Sequence, residues 1–319
     1  MIRWGLLGPG KIAHKFASDL MTIPNAKLVA VASRDLSRAT EFANQYGANI
    51  AFGSYEELVN SDDVDVIYIA SPHIGHFEHT KLCLNAGKAV LCEKPFAMNT
   101  AEVLEMIELA KSKKVFLMEA LWTRFMPSTL KVIDLLNSIG EISLVKADFG
   151  FKADYDITKR LFNKELGGGA LLDIGIYPLF LSYLILGNPL EVKANAQFAE
   201  TGTDQTVGMS FKYENGSMAV LDCTFMATTN CEAQIFGKKG TILIHSRWHE
   251  SQKVSINYYD GNTESFDFGR ETHGYDFEIE EVGKCLENKV LESDKWSWND
   301  SINLINLLDN VREKCGIKY

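Results

Sequence analysis

Apolar residues come in short, nearly unbroken runs through the first third of the chain, at residues 2–7, 27–33, 64–70, 88–92 and 115–118. Between most of these runs the spacing changes to that of amphipathic helices, at 11–21, 36–46, 76–86 and 100–112. Strands without polar alternation need cover on both faces, and intervening helices supply it, so a parallel α/β sheet is expected here. After Met118 the pattern changes. A helix at 128–136 and a strand at 142–149 precede the cluster Gly167-Gly168-Gly169 and a long apolar helix. From 190 to 268, short strands alternate with turns such as Glu214-Asn215-Gly216 and Asp260-Gly261-Asn262, predicting an open, mostly antiparallel sheet. Helices near 275–286 and 300–314 finish the chain. The expected split is residues 1–118 and 119–319, the second an α+β domain that binds substrate and carries the oligomer contacts.

Composition narrows the function. A net charge of −10, with no dense basic block, repels polyanions and argues against nucleic acid as a partner. The most apolar run, 170–186, contains Asp173, Gly175 and Pro178, and is read as a buried helix too short and polar to span a membrane. The six cysteines form no CxxC pair and no zinc-like cluster with histidine, which points to reduced core thiols, no metal and a cytoplasmic location. A first strand beginning at residue 2 leads us to expect no signal peptide.

The first chemical motif is Gly8-Pro9-Gly10-Lys11-Ile12-Ala13, directly after the first strand and opening the first helix. The spacing GxGxxA suits a dinucleotide. The first glycine makes the turn, the second admits the pyrophosphate, and the small third residue allows close helix packing. The N-terminal domain is therefore expected to be a Rossmann fold with Gly8, Gly10, Lys11 and Ile12 on the cofactor. The second strand ends in Ser33-Arg34, with Arg38 a turn further on, where NAD-binding loops carry an acid. A hydroxyl and guanidinium groups suit a 2′-phosphate, so NADP is the expected cofactor; Asp35 leaves NAD open.

Residues 65–98 contain Ser71-Pro72-His73, His76 and Glu93-Lys94-Pro95. Further along stand Leu121-Trp122-Thr123-Arg124-Phe125 and the stretch from Gly168 to Pro178. Together with the glycine loop, over essentially the whole chain, these motifs resemble the Gfo/Idh/MocA oxidoreductases. Within that family they look most like the branch of dimeric dihydrodiol dehydrogenases and glucose–fructose oxidoreductases. The resemblance implies that Lys94 touches the nicotinamide ribose and the reacting oxygen, that Tyr177 donates the proton, and that Asp173 faces the same pocket. It implies that Ser71, Pro72, His76, Glu93 and Arg124 border the cofactor, and that Trp122 and Phe151 wall the substrate. It also implies a Lys94–Pro95 peptide that is often cis.

The chemistry has a rationale of its own. Carbonyl reduction needs a hydride and a proton, and a neighbouring ammonium makes a phenol a better acid. Asp173 and Tyr177 are four residues apart, so one helix face can present both. Lys94 as a surface lysine and Tyr177 as a core tyrosine are the plain alternatives. Asp173 is read equally as catalytic or as an orienting group. The expected activity is hydride transfer between a nicotinamide and a carbinol or carbonyl carbon of a sugar, polyol or vicinal diol. The alternative is a non-catalytic dinucleotide-binding regulator of the same fold. One face of the open sheet is left for a partner, so a homodimer or tetramer through it is expected.

Overall fold

The computed structural model describes residues 1–318. It divides into two compact units, one formed by Met1–Phe125 with Glu271–Ile302 and the other by Met126–Arg270 with the chain from Asn303 on. The expected break after Met118 lies close to the first crossing, but the second half of the sequence does not stay together. Residues 271–302 return to the first unit.

In that unit the order is β1 (Ile2–Leu7), α1 (Lys11–Leu20), β2 (Ala26–Ala32), α2 (Leu36–Tyr46), β3 (Ile50–Phe52) and α3 (Tyr55–Val59). It continues with β4 (Val66–Ile69), α4 (His76–Asn85), β5 (Ala89–Glu93), α5 (Thr100–Lys113) and β6 (Leu117–Ala120). The six strands are all parallel, in the order β3-β2-β1-β4-β5-β6. That order reverses between β1 and β4, and a doubly wound sheet binds ligands at such a switch point. Leu6, Ala30, Val31, Ile67, Val90 and Leu91 are fully buried, as strands covered on both faces require. Phe16 of α1 stacks flat on Tyr68 of β4 with centroids 3.6 Å apart. Local caps set the helix starts: Asp35 accepts from Ser37 N, Asn99 from Glu102 N, and Ser54 and Glu57 form a capping box.

The returning segment is tied by polar contacts to buried acids of the sheet and α1. Asp19 accepts from His273 N and Tyr275 N, while Glu119 accepts from Trp296 Nε1 and Ser301 Oγ. Trp298 Nε1 donates to Leu117 O. Trp296 and Trp298 thus dock this segment on β6.

The second unit holds α6 (Pro127–Leu135), β7 (Ile142–Gly150), α7 (Ile176–Leu186), β8 (Glu191–Phe198), β9 (Asp204–Lys212) and β10 (Met218–Thr224). After these come β11 (Ala233–Gly237), β12 (Gly240–Ile244), β13 (Lys253–Tyr258) and β14 (Thr263–Asp267). Two last helices are α8 (Asp276–Glu287), in the returning segment, and α9 (Trp298–Cys315). Eight strands run β14-β13-β12-β11-β7-β10-β9-β8, antiparallel except where β7 lies parallel to β10. Val145, Ala147, Leu221 and Cys223 are buried on the face that α7 covers. Met218 and Val220 on the other face are 43% and 45% exposed.

Lys164–Leu186 is apolar and long enough to cross a membrane by length and composition, which corrects the expectation that this run is too short and polar. Yet 72% of its most apolar window is buried within the fold, as a core helix would be.

Candidate active site

The cofactor-side candidates in the first unit sit at the carboxyl edge of the parallel sheet, in the turns after it, or in the first turn of the helix that follows. Gly8 follows β1 with φ +88°, and a Cβ there would lie 3.2 Å from Ser71 N, so only glycine fits without displacing backbone. Gly10 caps α1, no side chain satisfies the cap, and the first turn, which holds Lys11 and Ile12, has no acidic residue. Unsatisfied N–H groups at the start of a ten-residue helix make a ready diphosphate site. The glycine loop therefore fits a dinucleotide.

The turn after β2 addresses the 2′ position. Ser33 donates its backbone N–H to Phe52 O of β3, and its Oγ accepts from Asp35 N. The Asp35 carboxylate accepts from Ser37 N at 2.9 Å and Ser37 Oγ at 2.6 Å, which holds its pKa below the usual carboxylate value. The acid that would grip a ribose diol is thus engaged as the cap of α2. Arg38 Nη2 donates to Pro9 O at 3.3 Å, which brings a guanidinium to the glycine loop, and Arg34 is exposed.

After β4 and β5 a network of buried groups fixes the backbone around Lys94. The Lys94–Pro95 peptide is cis. His76, fully buried, sets Nδ1 against Pro95 O at 2.7 Å and Nε2 against Ser71 O at 2.9 Å. Burial pulls its pKa down to about 4, although both carbonyls favour the cation. Neutral imidazole has one N–H, so it donates to one of these carbonyls at a time. Ser71 Oγ pairs with His79 Nδ1, and Pro72 is exposed. Glu93 bonds the Tyr68 hydroxyl and accepts from Lys94 N. Glu119, its pKa raised by burial, accepts from Phe96 N at 3.0 Å. Residues 93–96 are thus pinned by side chains from β4, α4 and β6. Among the described residues no group of three His, Cys, Asp or Glu side chains suits a metal.

Beyond β6, Trp122 stacks on Tyr275 with centroids 5.0 Å apart. Arg124 buries Nε and Nη1 without a hydrogen-bond partner among the described residues, and burial lowers its pKa. Two buried donors of this kind are what a bound ligand's oxygen atoms would satisfy.

In the second unit Asp173 and Tyr177 are both buried. The turn Leu171–Gly175 is wound as a π-helix, so the two side chains are not aligned as directly as four-residue spacing in an α-helix implies. Asp173 forms an ion pair with Arg160, Nη2 to Oδ1 2.8 Å. Gly168 makes this pairing sterically accessible: a Cβ there would come within 2.2 Å of Arg160 O. Tyr177 lies in an aromatic group with Phe149 and His249, at centroid distances of 5.5 and 5.1 Å. Phe151 packs on Phe225 at 5.4 Å.

Arg160, Phe149 and His249 escaped the sequence reading. Arg160 stands thirteen residues before its partner with no helical period linking them, and His249 follows what reads as the end of a strand.

Residues 2–121 match the oxidoreductase family with an NAD-binding Rossmann fold, GFO/IDH/MocA, and residues 132–243 match the GFO/IDH/MocA C-terminal domain. A trans-1,2-dihydrobenzene-1,2-diol dehydrogenase of Danio rerio is 38% identical, covering 100% of this chain and 98% of its own length. A scyllo-inositol 2-dehydrogenase (NADP(+)) of Bacillus subtilis is 35% identical over 100% of this chain and 98% of its own length. Among solved structures, a 3-ketoreductase from Actinomadura kijaniata in complex with NADP and TDP-benzene superimposes with a TM-score of 0.89. It is 26% identical and covers 98% of each chain. The chain belongs to the GFO/IDH/MocA family of NAD(P)-binding oxidoreductases.

Proposed function

We propose that the protein is an NADP-preferring dehydrogenase or reductase acting on a CH–OH group of a sugar, polyol or vicinal diol. The observation that carries the cofactor preference is at the end of β2, where Asp35 is engaged as a helix cap and Arg38 reaches the glycine loop. The relatives named as diol and inositol dehydrogenases support the substrate class. Solved structures of the ketoreductase include variants at one lysine and at one tyrosine.

When bound, the nicotinamide cofactor supplies or accepts the hydride. Gly8, Gly10, Lys11 and Ile12 hold its diphosphate, Ser33, Arg34 and Arg38 its 2′-phosphate, and Ser71, Pro72, His76, Glu93 and Arg124 border it. Lys94 Nζ holds the reacting oxygen and favours its anionic form. Tyr177 Oη gives that oxygen a proton in reduction and takes one in oxidation. Asp173, paired with Arg160, orients the group, and Trp122 and Phe151 wall the substrate.

Purified protein with NADPH and a panel of hydroxyketones and ketoses is expected to oxidise the cofactor, and to do so at least tenfold faster than with NADH. No turnover on any carbonyl, with cofactor still bound, would instead favour a regulator. The outer face of the eight-stranded sheet, with Met218 and Val220 exposed, is proposed as the contact of a homodimer or tetramer. Light scattering of the same preparation should give at least twice the 35.7 kDa chain mass; a monomer at micromolar concentration contradicts the contact. The six free thiols fit a cytoplasmic protein, to be found in the soluble cytosolic fraction of its cells.

A further inference from the structure

The turn before β13 carries a histidine that packing alone does not call for. His249 is buried, stacks on Phe149 at 4.2 Å and 21°, and lies tilted against Tyr177 at 5.1 Å. A flat hydrocarbon ring would fill that space, whereas an imidazole brings two polar nitrogens whose burial has a cost. Its Nδ1 faces Cys231 Sγ at 3.8 Å. Burial pushes the Cys231 thiol up to about 12, so the partner is a neutral S–H and not a reactive thiolate.

The backbone around this pair is held with unusual effort. Asp148 of β7 accepts from Cys231 N at 2.8 Å and from Glu232 N at 3.1 Å. Trp248 Nε1 donates to Asp148 O at 2.8 Å, and Trp248 N to Cys231 O at 3.1 Å. Cys231 and Arg247 both adopt left-handed backbone, with φ of 52° and 56°, although neither is glycine. Such residues cost roughly 1 kcal/mol or more each and tend to persist where a local geometry is being enforced. Here the two strained residues bracket the contact between the segment before β11 and the turn that carries His249.

We propose that His249 is a positioning residue for Tyr177, its ring clamped between Cys231 and Phe149 so that it fixes the phenol in the orientation used for proton transfer. The inference rests on the reading of Tyr177 as the proton donor. It adds a residue that acts through Tyr177 and a thiol that acts through His249.

His249→Phe keeps an aromatic ring and removes the polar edge. It is expected to lower kcat about tenfold or more while leaving KM for NADPH unchanged, the pattern of an interaction needed only in the transition state. His249→Asn, which keeps a polar edge, should recover part of that loss. Cys231→Ala should lower kcat in the parent protein yet add nothing in the His249→Phe background, since groups acting as one unit are not additive. Parent-like kcat in His249→Phe would overturn the proposal. So would kcat, cofactor KM and thermal midpoint falling together, which marks a merely structural role. If His249→Phe does not fold, Cys231→Ala alone decides, because it leaves every ring in place. Tyr177→Phe, measured alongside, separates the two readings: its full activity would sink the proton-donor assignment, whereas its inactivity beside a fully active His249→Phe would sink only this one.

Discussion

Replacing Tyr177 by phenylalanine is expected to slow carbonyl reduction roughly 10²–10⁴-fold, the usual contribution of a positioned general acid. That range corresponds to about 3–5 kcal/mol of barrier. The substitution removes one oxygen and keeps the ring against Phe149 and His249, so the fold should be retained. On the proposed mechanism Lys94→Met should lose activity on a similar scale, because the reacting oxygen would then lack its ammonium. On the proposed mechanism, in which both groups act on one oxygen, the double variant should be little worse than the poorer single one. Steady-state NADPH oxidation with a saturating hydroxyketone is the measurement. Undiminished kcat in Tyr177→Phe would remove the phenol from the mechanism.

The second large effect concerns stability, and it comes from Glu278. This residue of α8 is fully buried, and neither carboxyl oxygen has a hydrogen-bond partner among the described residues. Burial, helped by the nearby charges of Glu93 and Asp19, raises its pKa well above the ordinary 4.5. The folded protein therefore holds a proton that the unfolded chain releases as pH climbs past that ordinary value. Stability from this group is fully present below the unfolded pKa, and is lost progressively as pH rises toward and through the folded one. Glu278→Gln has nearly the same shape and never ionises, so it escapes the loss. Relative to the parent it should gain up to about 1.4 kcal/mol per pH unit within that window. Urea unfolding of both proteins at several pH values between about 5 and 8 measures the gap. Parallel stability curves would show that Glu278 is as readily ionised in the folded state as in the unfolded one.

Much of the first unit was legible because its signals are local. Strand runs, helix spacing and the glycine loop each occupy a few consecutive residues, and β1, α1, α2 and α5 lie at or near their expected positions. The miss was β3 with α3: a strand of three residues and a helix of five are too short for any periodicity to register. In the structure Ser54 and Glu57 start that helix as a capping box. The return of 271–302 to the first unit had no local sign at all. It depends on Asp19 and Glu119 meeting partners more than 170 residues away.

The candidate site divides along the same line. Gly8, Arg38, His76 and Lys94 announce themselves by motif or by strand end. Arg160, pairing with Asp173, is set by the fold of the 160–168 turn onto the glycine cluster. Cys231 and His249 meet only because β7 gathers the two segments through Asp148. The π-turn before α7 was invisible for a related reason, since apolar periodicity cannot distinguish it from one more turn of α-helix.

A crystal structure of the protein with NADP and a bound vicinal diol or hydroxyketone tests the proposed chemistry most directly. The expected result is a single substrate oxygen within hydrogen-bonding distance of both Lys94 Nζ and Tyr177 Oη, with its carbon facing nicotinamide C4. A substrate oxygen held by neither group, in a complex that turns over in the crystal, would contradict the account.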